Sequence, residues 1–156
     1  MKKVLGFLGI IVVLSALIIA ITTYQNNKKL ANNPYPTDDL HPETIQLLDD
    51  PNYQNLIMPE ELAQSLHSEG TETIYFFSPL CKYCREVSPV IVPLAEELGI
   101  DLKLFNVLEF PEEAQQYDLE GVPSLVHFEN GEEVARFEGA GSEEEYREWF
   151  LSLNEK

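Results

Sequence analysis

Two thiols stand out in the stretch SPLCKYCREVSP (residues 78–89), which holds Cys81 and Cys84, the chain's only cysteines. A pair at this spacing can be half of a zinc site, a structural crosslink or a reversible dithiol. Zinc would need two further ligands. There is no second CxxC, and His41, His67 and His127 are scattered, so no metal is expected. A purely structural disulfide here closes a loop too short to restrict the unfolded chain much. The remaining chemistry is thiol–disulfide exchange. At the entrance of a helix, backbone N–H groups and the helix dipole favour a thiolate at Cys81. Cys84, one turn further in, is then placed to attack a mixed disulfide formed there. The histidines are read as two surface residues and one strand residue with a satisfied ring, none of them catalytic.

The elements that must position this pair are legible around it. Residues 73–77 (TIYFF) form a short continuous β-prone run, the pattern of a strand buried on both faces. Residues 85–98 read as a helix. Pro89 and Pro93 each remove a backbone donor, so the helix is expected to kink. Upstream, Pro59 opens an amphipathic helix that Gly70 stops. Downstream, 101–107 alternates like a strand and 111–117 resembles a short helix. Residues 124–128, Asn130-Gly131 and 132–137 read as strand, type I′ turn and strand. Ser142 with Glu145 makes a capping box for a last helix carrying Tyr146, Trp149, Phe150 and Leu153 at core-facing spacing. The order β, α, β, α, β, β, α predicts an α/β fold with a central mixed sheet and helices on both faces.

Ahead of this domain, residues 4–21 are apolar apart from two glycines and a serine. Eighteen helical residues span roughly 27 Å, just under a bilayer's hydrocarbon thickness. The segment therefore reads as a single transmembrane signal anchor or as a cleaved secretion signal; Ile18-Ile19-Ala20 is a poor cleavage pattern. A buried core helix is disfavoured because no polar face interrupts it. Met1, Lys2 and Lys3 favour a cytoplasmic N-terminus, with the remainder outside. Residues 22–52, rich in Asn, Pro and Asp, read as an extracytoplasmic spacer, and 53–156 as the folded domain.

Charge divides the same way. Of ten basic and 27 acidic residues, four lysines and no acids fall in the first 31 positions. The acidic body repels nucleic acid and anionic lipid head groups.

In its CxxC after a buried aromatic strand, Pro89 five residues beyond Cys84, GVPS at 121–124 and HFENGEEVARFEGAG at 127–141, the domain resembles a thioredoxin. The resemblance implies a thioredoxin-like fold in which Pro123 is cis and packs against the cysteines, and Val122 offers backbone groups to a substrate chain. It also exposes departures. Family members that reduce cytosolic substrates carry a buried aspartate where Tyr75 stands. Their partner lysine aligns with Leu104, while Lys103 points the other way if strand alternation holds. Phe77 and Leu80 replace tryptophans, and the inner dipeptide is Lys82-Tyr83. The usual proton shuttle is thus expected to be absent. Lys82 and Arg85 flank the dithiol in an acidic domain, and nearby cations favour thiolate and a more oxidising disulfide.

Together these readings describe a bacterial, membrane-anchored, single-pass thiol–disulfide oxidoreductase with an extracytoplasmic, monomeric domain. Cys81 and Cys84 would be catalytic, with no cofactor beyond their disulfide. Substrates would be cysteine-containing secreted or membrane proteins, and an unidentified redox partner would reset the pair. Three functions compete: forming or isomerising disulfides in secreted proteins or peptides; reducing extracytoplasmic disulfides in apocytochrome or cell-wall protein maturation; and non-enzymatic binding of a metal or partner at the cis-proline groove.

Overall fold

A computed structural model describes residues 2–31 and 33–153 and divides the chain into two units, 1–38 and 39–156. The first unit is dominated by α1 (Lys2–Leu30). Within it, Phe7–Leu30 contains an 18-residue window with a mean hydropathy of 2.5, none of it buried. Its 24 residues would reach about 36 Å, long and apolar enough to cross a bilayer, a test that a secretion signal also passes. The helix runs nine residues past the apolar stretch, through residues the sequence assigns to the spacer. Once nucleated, a helix gains a hydrogen bond per added residue, and nothing breaks it before Pro34.

The second unit begins at Asp39, earlier than the sequence suggests, because residues 40–57 are packed rather than extended. Pro42 starts α2 (Pro42–Leu47), with His41 Nδ1 accepting from Glu43 N at 3.2 Å. Asp50 caps a 3-10 turn over Pro51–Tyr53. The Glu109 carboxylate fastens this segment by accepting from His41 N at 3.0 Å and from the Thr44 hydroxyl. Tyr53 then inserts its ring 5.0 Å from that of Phe77, and Ile57 N donates to the Leu104 carbonyl at 3.0 Å.

After α3 (Pro59–His67), β1 (Glu72–Phe77) forms the centre of a four-stranded sheet with β2 (Leu102–Asn106), β3 (Ser124–Glu129) and β4 (Glu132–Glu138), in the order β2-β1-β3-β4. Among the four strands only the β1–β2 pair is parallel, and an isolated parallel bridge joins Leu56 to Leu104. Between β1 and β2 lies α4 (Lys82–Glu97). The short α5 (Pro111–Ala114) and a 3-10 turn follow β2, and α6 (Glu143–Ser152) ends the described chain.

Every residue of β1 is buried, because its two faces fill two cores. Tyr75 and Phe77 pack with Ile91, Leu94, Leu104, Tyr146 and Phe150 under α4 and α6. Ile74 and Phe76 pack with Leu62, Phe105, Tyr117 and Phe128 on the opposite side. This accounts for an unbroken apolar run in place of alternation. Burying such a side chain contributes about 1.5–3 kcal/mol, so the central strand anchors both layers.

Local signals hold at the hairpin and the last helix. Asn130 and Gly131 both have positive φ, as a type I′ turn requires, and the Ser142–Glu145 capping box is formed in both directions. The helix expected from Arg85 begins three residues earlier, at Lys82, and runs through both prolines. Both prolines are exposed, so the carbonyls they leave without helical partners, of Arg85 and Pro89, lie on the face that water can reach.

Candidate active site

Cys81 is the N-cap of α4, where the extended backbone leaving β1 turns into helix. Its sulfur accepts from Cys84 N at 3.2 Å, taking the place of a serine or aspartate cap. Both cysteines are free thiols, Cys81 half-buried and Cys84 fully buried. The helix geometry thus gives them different surroundings: one at the rim, one inside.

Cys81 also reaches across to another loop. Its thiol donates to the Val122 carbonyl at 3.3 Å, and the Val122–Pro123 peptide is cis. Ser124 Oγ donates to the Gly121 carbonyl at 2.7 Å, and Gly139 N donates to the Pro123 carbonyl at 2.9 Å, so the loop is held from both sides. Beside Val122 opens an apolar groove of about 450 Å³ whose walls include Val107, Ala114 and Leu119. Leu80 and Tyr83, 53% and 59% exposed, flank the thiol on the solvent side. The dithiol, Val122 and Pro123 are therefore brought together, within one rim of exposed apolar surface.

Behind Cys84 the contacts are neutral. Its thiol is pushed up to about 12, chiefly by burial and then by its hydrogen bond with Cys81. Tyr75, in the position that would hold an aspartate, is fully buried; its hydroxyl lies 3.3 Å from the Cys84 carbonyl and 3.0 Å from Ser88 Oγ. Ser88, one turn beyond Cys84, donates to the same carbonyl at 2.7 Å. Leu104 pairs with Tyr75 across the strands, while Lys103 lies opposite Ile74 and binds Glu72 at 2.8 Å on the other face of the sheet. Tyr75 and Leu104 share the face of Cys84, and the Lys103–Glu72 pair lies on the other.

Lys82 and Arg85 are both exposed. Lys82 Nζ points one turn along α4 to Glu86, 3.5 Å away, and its side chain is 76% exposed. That i, i+4 pair directs the lysine's charge to a carboxylate. Arg85 is exposed and makes no ion pair among the described residues. His41 and His67 lie at the surface, and His127 is buried with Nδ1 2.9 Å from the Thr73 hydroxyl. No group of three or more His, Cys, Asp or Glu able to hold a metal ion occurs among the described residues.

Sequence reasoning missed Ser88 and Tyr53. The signal for Ser88 was its place four residues after Cys84 on one helix face. Tyr53 had no local signal, because its role depends on Phe77, 24 positions away.

Comparison with known proteins agrees with this architecture. The thioredoxin family model matches residues 54–152. A thioredoxin of Chlamydia pneumoniae is 32% identical over 89 residues, covering 56% of this chain and 87% of that protein. Among solved structures, a mutant thioredoxin from Halobacterium salinarum superposes with a TM-score of 0.53 at 27% identity, covering 65% of this chain and 89% of that one. The J-Trx1 fragment of ERdj5 gives 0.59 at 20% identity, covering 70% of this chain and 53% of that fragment, a likeness of fold. With its family match, its mixed sheet and its CxxC at the start of α4, the chain belongs to the thioredoxin family of thiol–disulfide oxidoreductases.

Proposed function

We propose that this protein carries out thiol–disulfide exchange outside the cytoplasm, forming or isomerising disulfides in secreted or membrane proteins while α1 holds it at the membrane. Cys81 is the exchanging sulfur and Cys84 its partner. A substrate thiolate attacks Cys81 Sγ of the Cys81–Cys84 disulfide, Cys84 leaves as thiolate, and a mixed disulfide forms. A second substrate thiolate then attacks the substrate sulfur of that bond, releasing the oxidised product and a reduced dithiol. Val122 and Pro123 line the path of the incoming chain. No cofactor beyond the cysteine pair is needed, and a separate redox partner restores its oxidised state.

The observation that carries the direction of this reading is the neutral lining behind Cys84. Among the described residues no carboxylate or amine touches that thiol, and burial keeps it protonated. Resolution of a mixed disulfide by Cys84, the second half of a reduction, therefore lacks a ready base. A slowly resolved intermediate gives a second substrate thiol time to act, which suits isomerisation.

The test is the reduction potential of the pair, measured on the full chain in detergent against glutathione. A value of about −120 to −180 mV supports a disulfide donor. A value near about −270 mV or below makes the protein a reductant and overturns the direction proposed here.

A further inference from the structure

Three hydroxyl side chains meet behind Cys84, and the exchange reaction gives them no role so far. Tyr75 and Ser88 are fully buried, and Tyr53, 5% exposed, turns its hydroxyl toward Ser88. Ser88 has a single proton to give, and gives it to the Cys84 carbonyl at 2.7 Å. With Ser88 donating elsewhere, the Tyr75 hydroxyl donates to Ser88 Oγ at 3.0 Å or to the Cys84 carbonyl at 3.3 Å, and the Cys84 side chain is its neighbour. A neutral thiol is a weak acceptor, whereas a buried thiolate is by far the strongest in reach.

We propose that the Tyr75 hydroxyl is the hydrogen-bond donor that stabilises the Cys84 thiolate as it forms, with Ser88 as the positioning residue that holds the phenol in place. This rests on the reading of the dithiol as an exchange centre and adds which side chain serves its inner sulfur. Tyr75 does this without ionising, since burial holds its own proton well above the ordinary phenol range. In the reductive direction Cys84 sulfur attacks Cys81 Sγ of a mixed disulfide with substrate sulfur R–S. The Cys81–Cys84 bond forms, the Cys81–substrate bond breaks, and the substrate sulfur leaves with the electron pair. It takes up the proton Cys84 lost, so the products are R–SH and the protein disulfide, with two electrons passed to the substrate sulfur. In the oxidative direction the same donor stabilises Cys84 as the leaving group. One hydroxyl thus serves both directions.

The test separates the two steps of the reductive reaction. The full chain in detergent is reduced, mixed with glutathione disulfide as probe, and quenched at intervals by acid and alkylation to follow the Cys81–glutathione adduct. Tyr75→Phe is expected to form the adduct at the wild-type rate but to resolve it about tenfold to a hundredfold more slowly, the worth of one hydrogen bond to a charged group. The pH at which resolution is half-maximal should move upward. Ser88→Ala should fall between wild type and Tyr75→Phe. An unchanged resolution rate and pH profile in Tyr75→Phe would overturn the assignment, as would equal slowing of both steps. A wild-type chain that never forms the adduct would overturn the exchange reading itself, and Tyr75's role with it.

Discussion

At the start of β1, Glu72 and Lys103 meet as opposite charges 2.8 Å apart, the carboxylate only 8% exposed and Ser65 donating to it as well. Further along the same strand, every polar contact around Tyr75, Ser88 and Cys84 joins neutral groups. Three residues of extended strand put Glu72 and Tyr75 about 10 Å apart. They also lie on opposite faces, since Glu72 shares its face with Ile74 and Phe76, while Tyr75 shares the face of Cys84. The chain therefore contains an acid–base pair, Glu72 buried on the central strand and Lys103 half-buried beside it on β2, but on the face of the sheet away from the sulfur. A charge beside a buried thiol would set its protonation; a charge on the far face only has to be satisfied. The contrast teaches that the dithiol's environment is set by strand phase as much as by composition.

The sharpest way to break this comparison is Lys103→Met. Burial alone would lower the lysine's proton affinity, and its hydrogen bond and attraction to Glu72 more than reverse that, so the two depend on each other. Removing the amine leaves a buried carboxylate with only the Ser65 hydroxyl beside it among the contacts described above. Urea unfolding followed through Trp149 fluorescence should show a loss of about 2–4 kcal/mol. The glutathione exchange rate should stay within about twofold of wild type, because the sheet itself separates the sites and they share no partner. A collapse of exchange in a folded variant would show that the two faces are coupled.

Alkaline titration sharpens the other half. Burial raises the Cys84 value from about 9 to about 12, so the folded state holds the proton more tightly than the unfolded chain. The stabilisation is fully present below about pH 9 and is lost as pH climbs toward 12. To isolate this group, Cys81→Ser leaves Cys84 as the only thiol, with burial, the main cause of the shift, intact. Between pH 8 and 10 that variant should lose about 1 kcal/mol more stability than the Cys81→Ser/Cys84→Ala double variant. Parallel stability curves would mean that Cys84 is more open to water than its position indicates.

How much of this was legible in the sequence follows from how locally each feature is encoded. The β1 run, the Asn130-Gly131 turn and the Ser142–Glu145 box were readable because each depends on residues within one turn or strand. The two cysteines and the cis-proline loop were readable through spacing and family likeness. Residues 40–57 were not, since their packing depends on Glu109 and Phe77, far along the chain, and their Asn, Pro and Asp content imitates a spacer. Lys82 was placed beside the sulfur by sequence proximity, yet the helix set it one turn from Glu86, and four-residue spacing won. Tyr75 was recognised as a replacement for an acid, but its partner Ser88 emerged only when α4 was laid on β1.

The smallest expected effect concerns stability at Tyr75. Deleting its hydroxyl by Tyr75→Phe removes the contacts at 3.0 and 3.3 Å but keeps the ring that packs 5.8 Å from Phe77. Ser88 still donates to the Cys84 carbonyl, so no donor is stranded by the change. The net cost should be below about 1 kcal/mol, because a neutral hydrogen bond inside the protein replaces one the phenol made to water when unfolded. This is far less than Lys103→Met, where a charge is left alone. Urea unfolding at pH 7 measures it, and a loss approaching that of Lys103→Met would mean that the hydroxyl cluster bears as much of the fold as the ion pair. A small loss in stability beside a large loss in resolving rate would place the role of Tyr75 in the reaction, on the face of the sheet that keeps charge away from the sulfur until the sulfur itself becomes the charge.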